Sequence, residues 1–230
     1  MENGLLLVDK QKDITSYDVI RICKRIFPKG QKIGHAGTLD PFATGLLIIL
    51  LGKCTKLMDT IHSYKKEYIV KAEFGYSTDT QDVTGNKLQS VDDINKFKEQ
   101  LTESVIKEEI NKNFIGKLQQ IPPIYSAKKI NGQKAYDLAR KGQNVELKPK
   151  EIEVYSFDIV SFDFPYATFK IECSTGTYIR TLVNDLGVNL GIYATAVGLQ
   201  RTKIGEYTVE DAISSEDINE DNIYNYIIRQ

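Results

Sequence analysis

Three observations predict an α+β fold. The run Leu46 to Leu51, Leu-Leu-Ile-Ile-Leu-Leu, is short, has no polar face and stops at Gly52, as a strand buried on both sides does. Segments 65–75, 151–164 and 167–173 alternate apolar with polar residues, the pattern of half-exposed strands. Segment 15–27 carries Val19, Ile20, Cys23 and Ile26 at helical spacing, so helices and strands are mixed along one chain.

In chain order, Gly4 to Lys10 reads as a first strand. Thr15-Ser16-Tyr17-Asp18 then opens a helix to about Phe27, with Thr15 or Ser16 as N-cap and Pro28-Lys29-Gly30 as its end. Residues 34–45, Gly-His-Ala-Gly-Thr-Leu-Asp-Pro-Phe-Ala-Thr-Gly, form an irregular loop that feeds the apolar strand. Lys53 to Ile61 has helical spacing through Cys54, Leu57, Met58 and Ile61. In the strand from Lys65 to Gly75, Tyr68, Val70, Ala72 and Phe74 share the inner face. Tyr76 to Gly85 is a turn-rich polar link, and residues 92–113 read as one or two surface helices. A helix follows from Gln133 to Arg140. Residues 151–164 and 167–173 are expected as antiparallel strands joined at Pro165. The stretch from Ser174 enters a helix to Leu190, Ala194 to Arg201 is a last core strand, and a C-terminal helix covers about Asn219 to Ile228.

The bulk composition narrows the class. With 230 residues and 41% hydrophobic content, the chain is long enough for a sizeable core and reads as a single domain. A formal net charge of -1 argues against indiscriminate coating of nucleic acid. Cys23, Cys54 and Cys173 are odd in number and far apart, and His35 and His62 are the only histidines, which gives neither a disulfide framework nor a zinc site. The start, Met1-Glu2-Asn3-Gly4, is too short and acidic for a signal peptide, and no apolar run reaches membrane-spanning length. The expectation is a reduced, cytoplasmic enzyme. Charge is nonetheless uneven: Ile124 to Lys150 holds seven basic residues against Asp137 and Glu146, whereas from Glu206 onward seven acidic residues face Arg229 alone. The basic segment, about 120–150, suits phosphate; the acidic one, about 206–230, should face away from it.

The loop at 34–45 is the place to look for chemistry. Its three glycines permit close backbone approaches, and Pro41 fixes its own φ and steers Asp40 out of the helical region, so Asp40 stands on a stiff support at the mouth of a buried strand. A carboxylate beside Pro between glycines is by itself most often a turn cap. The whole string, however, resembles the catalytic motif of the TruB-type tRNA pseudouridine synthases. Gly-Leu-Leu-Leu-Val-Asp-Lys with Thr-Ser-Tyr-Asp-Val, the Tyr76–Gly85 link, and Gly176-Thr-Tyr-Ile-Arg180 with Asp185-Leu-Gly187 match that family in the same order. The likeness runs from about Gly4 to Tyr207.

The resemblance implies a pseudouridine synthase fold, with a mixed, mostly antiparallel sheet, flanking helices and a catalytic cleft. It implies isomerisation of the T-loop uridine at standard tRNA position 55, by a flipped base and a catalytic aspartate, without cofactor or metal. By motif, Asp40 is the catalytic carboxylate and Arg180 pairs with it, keeping it ionised and aimed. Tyr68 stacks on the uracil and moves a ribose proton. Tyr178 and Leu199 line the uracil pocket, and His35 enters the T loop in place of the flipped base. The basic segment, with Lys128, Lys129, Lys134, Arg140 and Lys141, resembles the RNA-gripping thumb of the family. The chain is too short for the C-terminal PUA-type domain of many members, so the thumb is expected to carry more of the grip. A monomer acting on tRNA without a protein partner is expected.

Three rivals remain. A carboxylate-dependent glycoside hydrolase wants a second carboxylate, which the Asp40 motif lacks. A tRNA-binding or folding-assisting protein has no need of Asp40, Tyr68 and Arg180 together. A guide-dependent relative acts inside a ribonucleoprotein, and would be inactive on bare tRNA.

Overall fold

The structure is a computed structural model that describes residues 1–125, 129–130, 133–134 and 147–229. The chain divides into two compact units, residues 1–69 with 199–230, and residues 70–198.

The first unit is built on β3 (Thr44–Leu51), the predicted apolar strand, whose residues 46–51 are fully buried. Strand β1 (Gly4–Lys10) pairs with it antiparallel, Gly4 opposite Leu51 and Lys10 opposite Gly45. Its other edge is shared. Strand β2 (Ile33–Ala36) runs antiparallel along Ile48 to Leu51, and β12 (Ala194–Ile204) runs parallel at Thr44 and Gly45. The sheet order here is β14-β1-β3-β12-β4, with β4 (Lys66–Phe74), β14 (Ile213–Ser214), β15 (Ile227–Ile228) on β1 and β13 (Tyr207–Thr208) on β12.

Because side chains alternate along a strand, β3 serves two cores at once. Leu47, Ile49 and Leu51 join Leu6, Val8 and the apolar stripe of helix α1 (Ser16–Ile26); Leu46, Ile48 and Leu50 join Leu5, Leu7, Cys54, Ile61 and Ile204. At about 1.5–3 kcal/mol per buried Leu or Ile, this strand alone supplies on the order of 10 kcal/mol of gross burial energy. Helix α1 starts at the predicted place. Thr15 is its N-cap in a complete capping box with Asp18, and the chain leaves at Phe27 in extended geometry ahead of Pro28. Between Gly52 and Ser63 the expected helix is split into a 3-10 turn, Gly52–Leu57, and α2 (Met58–Ser63).

The expected C-terminal helix does not form. Residues Ile223–Tyr226 make a 3-10 turn and Ile227–Ile228 a strand. Asn219 Oδ1 accepts the N–H groups of Asp221 and Asn222 at 3.0 and 3.1 Å, a local turn that competes with helix propagation. Ile223 and Ile227 still point inward, against the stripe of α1, so their four-residue spacing reported burial but not helix.

In the second unit the order is β12-β4-β11-β10-β7, with β12 and β4 passing from one unit into the other along the chain. Strands β10 (Lys150–Asp163) and β11 (Tyr166–Cys173) form the expected antiparallel pair, and β7 (Gly116–Gln120) adds along Lys150 to Val154. Phe157 stacks edge-on to Phe169 at 5.1 Å and to Phe114 at 6.1 Å. Surface residues 92–113 give a 3-10 turn at Ile94–Phe97 and helix α3 (Glu103–Asn113). Within the predicted polar link lies a two-stranded hairpin, β5 (Tyr76–Thr78) with β6 (Lys87–Ser90). Helix α4 (Ile179–Asn189) fits against residues 193–194 so closely that a Cβ at Gly187 would collide with the Ala194 nitrogen. Of the basic segment, β8 (Lys129–Ile130) and β9 (Gln133–Lys134) pair antiparallel, where a helix had been expected to start at Gln133; the rest of that helix, to Arg140, lies outside the described residues. Among the described residues no helix is long and apolar enough to cross a membrane.

Candidate active site

In the first unit, His35, Asp40, Tyr68 and Leu199 are found on or beside β2, the following loop, β4 and β12. The first three residues of the sequence-predicted loop are strand: His35 sits on β2 opposite Ile49. The irregular part is Gly37 to Ala43, and it is held by its main chain. Asp40 C=O accepts the Ala43 N–H at 3.1 Å, closing a turn over Pro41 and Phe42. The buried Ser16 hydroxyl accepts the Leu39 N–H at 2.9 Å and donates to its carbonyl at 3.3 Å. Pro41 C=O takes the Asp13 N–H at 2.8 Å and the Lys10 ammonium at 3.3 Å.

Lys10 is a residue the sequence reading passed over. It lies at the end of β1, fully buried, and its three protons go to the carbonyls of Gln11 (2.8 Å), Ile14 (2.9 Å) and Pro41. Burial pushes its pKa down to about 8; the charge of Asp40 opposes that shift and the charge of Arg201 adds to it. Arg201 was overlooked too. It is 1% exposed on β12, and its Nε donates to Leu46 O at 2.7 Å and its Nη2 to Gly37 O at 3.0 Å. Asp40 is half-buried, and its charge acts on the buried Lys10.

His35 is half-buried, with Nδ1 enclosed and without a hydrogen-bond partner among the described residues. Desolvation, helped by the Arg201 charge, lowers its pKa from the ordinary value, which favours a neutral imidazole at neutral pH. Tyr68 and Leu199 are each 8% exposed, on the neighbouring strands β4 and β12. Beside Tyr68, Glu67 accepts the Thr202 hydroxyl at 2.8 Å and faces Lys203 at 4.0 Å.

In the second unit, Tyr178 and Arg180 open helix α4. The side chain of Gln120, on β7, grips the Tyr178 main chain from both sides, accepting its N–H at 2.8 Å and donating to its carbonyl at 3.0 Å. Arg180 is 3% exposed. Its guanidinium donates to the carbonyls of Thr80 (2.5 Å) and Tyr125 (3.1 Å) and pairs with Asp82 Oδ2 at 3.1 Å.

Asp82, inside the segment read as a polar link, is a buried anion in this unit. Its Oδ1 accepts from the Thr80 hydroxyl (2.8 Å), the Thr84 hydroxyl (2.5 Å) and the Thr84 N–H (2.9 Å). Gln81 between them is left-handed at φ +62°, with its side-chain oxygen taking the Thr181 hydroxyl at 2.7 Å. The only hint of this in the sequence was an aspartate set among threonines.

Of the basic residues, Lys129 and Lys134 lie opposite each other in the β8–β9 pair, whereas Lys128, Arg140 and Lys141 lie outside the described residues. Among the described residues, no group of three or more His, Cys, Asp or Glu side chains could hold a metal ion.

The model of the TruB family pseudouridylate synthase N-terminal domain matches residues 24–179. The tRNA pseudouridine synthase B of Clostridium tetani is 45% identical over 226 residues, 98% of this chain and 76% of that protein. The protein of the same name from Parabacteroides distasonis is 38% identical, covering 94% of this chain and 92% of its own. Among solved structures, a chain of a Cbf5-Nop10-Gar1 complex superposes with a TM-score of 0.69 at 25% identity, over 96% of this chain and 54% of the other.

Proposed function

The chain belongs to the TruB family of pseudouridylate synthases, and on that premise we propose that it is a tRNA pseudouridine synthase that isomerises the T-loop uridine at standard position 55, with Asp40 as its catalytic carboxylate. One observation carries the reading: the loop with Asp40 is fixed along its main chain by Lys10, Ser16 and Arg201, in a chain 45% identical to a tRNA pseudouridine synthase B. A carboxylate on so rigid a loop suits chemistry that depends on positioning.

The reaction breaks the bond from ribose C1′ to uracil N1, turns the base and joins C5 to C1′. The proton on C5 leaves and N1 gains one, so atoms balance and no electrons are exchanged. Asp40 starts the isomerisation, with the buried Lys10 near enough to interact with its charge. Tyr68 stacks on the uracil and moves a ribose proton; Tyr178 and Leu199 line the pocket. Arg180, the arginine of the family motif, is held by Asp82 and Thr80 and is assigned to the catalytic machinery on that resemblance. His35, neutral and at the entrance of the loop, takes the place of the flipped base, which must leave its stack for the reaction to occur. The basic segment with Lys128, Lys129, Lys134, Arg140 and Lys141 grips the tRNA backbone. The enzyme acts as a monomer without a guide RNA or protein partner.

The test is release of tritium from tRNA labelled at uridine C5. Wild-type enzyme should release it from bare tRNA, and both Asp40→Asn and a tRNA with cytidine at the T-loop position should abolish release. Tight binding of tRNA without release would overturn the stand-alone catalyst in favour of an RNA-binding or guide-dependent protein.

A further inference from the structure

We propose that Arg201 is a positioning residue for this reaction: one guanidinium holds both ends of the loop that carries Asp40 and so sets where the carboxylate stands. The inference rests on the function proposed above. Its basis is the registry of β3. On the edge of β3 away from β1, pairing with β12 is recorded at Thr44 and Gly45, and pairing with β2 from Ile48 to Leu51. Neither strand pairs with Leu46, and there Arg201 Nε donates to the Leu46 carbonyl. The same guanidinium reaches Gly37 O, one residue beyond the end of β2. Entry and exit of the loop are thereby tied through one rigid planar group.

The surrounding backbone is shaped to admit this arm. Gly45 has φ +103°, and a Cβ there would collide with the main chain of Arg201. Gly37, at φ +85°, would bring a Cβ to 3.4 Å from Arg201 Nη1. Arg201 makes no ion pair among the described residues, and its recorded hydrogen-bond acceptors are these two carbonyls. A buried cation without a carboxylate is a poor device for stability, since its desolvation is uncompensated by an opposite charge. It is a good device for geometry, because the donors of a guanidinium diverge from a fixed plane while an ammonium is a point charge on a flexible stem. The lowered pKa of His35, to which the Arg201 charge contributes, adds a second effect on the strand that leads into the loop.

The experiment uses the full chain with Arg201→Met and Arg201→Lys. Single-turnover tritium release at saturating tRNA should fall roughly 100-fold in Arg201→Met, the scale of a misplacement near 1 Å. The dissociation constant for tRNA should stay near wild type, and Arg201→Lys should recover part of the rate. Hydrogen exchange should show faster exchange in peptides covering residues 37–45, with β1 and the core of β3 still protected. A wild-type saturating rate in Arg201→Met, or a loss of protection spread over β1 and β3, would overturn the proposal. So would a Lys variant no better than Met. Failure of wild type itself to release tritium would instead overturn the proposed function, and the exchange measurement would still decide whether Arg201 holds the loop.

Discussion

The Asp40 loop and the Arg180 platform both rest on buried charge, but they use it in opposite ways. Around Asp40, the buried cations Lys10 and Arg201 donate to carbonyl oxygens at Pro41, Leu46 and Gly37. Around Arg180, a buried aspartate faces the guanidinium, and three donors from Thr80 and Thr84 saturate its second oxygen. The first device orders a stretch of main chain whatever its side chains do. The second orders one side chain, and it depends on both partners being present. The two regions should therefore fail differently when a partner is removed.

The largest effect is expected at the ion pair. Asp82→Ala removes the carboxylate paired with the buried Arg180 guanidinium, at a cost of about 3–5 kcal/mol in unfolding free energy. Replacing both, as Asp82→Leu with Arg180→Met, should cost clearly less than the sum of the single changes. Urea titrations of the four proteins measure this, and additive losses would show that the pair is not the platform's support. The counterpart in the other region is Gly45→Ala. Left-handed strain plus collision with the Arg201 backbone should cost roughly 2–4 kcal/mol. A loss below about 1 kcal/mol would mean that the loop exit yields easily, against the rigidity inferred for it.

Lys10 sharpens the contrast through pH. Its pKa is about 8 in the folded chain against 10.5 ordinarily. Below pH 8 it is protonated in both states and contributes no pH dependence. Between 8 and 10.5 the folded chain has given up the proton while the unfolded chain still holds it, so stability rises with pH through this window. The gain is at most about 3 kcal/mol. The difference between wild type and Lys10→Met, followed by urea unfolding from pH 7.5 to 10, isolates it from other titrations. Equal slopes in the two proteins would refute the desolvated state of Lys10.

What the sequence made legible follows the same division. Strands β1 and β3 and helix α1 were readable because burial imposes a period on apolar residues, and the pair Thr15-Ser16 announced the cap, which falls on Thr15. The irregular loop around Asp40 was readable through the glycines and proline that shape it. Lys10, Arg201 and Asp82 were not, because a charged residue is ordinarily read as solvent-facing, and each has a partner far along the chain: the Pro41 carbonyl 31 residues from Lys10, the Gly37 carbonyl 164 residues from Arg201, and the Arg180 guanidinium 98 residues from Asp82. The β5–β6 hairpin was missed for another reason. All four residues of β6 are exposed, so no alternation marks it. In the C-terminal segment, periodicity was present but the Asn219 turn overrode it.

The smallest change tests the main-chain grip most directly. Ser16 is 2% exposed, and its one hydroxyl serves both the N–H and the carbonyl of Leu39, next to Asp40. Ser16→Ala removes a few atoms from a packed site and opens little space, so the cost is chiefly that of a buried N–H left without its acceptor, about 1–2 kcal/mol. The loop would still be tied by Lys10 at Pro41 and by Arg201 at its ends, so it should shift rather than unfold. The expectation is therefore a modest drop in thermal midpoint together with a measurable fall in single-turnover tritium release, and a tRNA affinity close to wild type. Loss of stability with an unchanged saturating rate would show that the supports at Lys10 and Arg201 suffice. In that case the middle of the loop is held redundantly, and the position of Asp40 is set from its two ends.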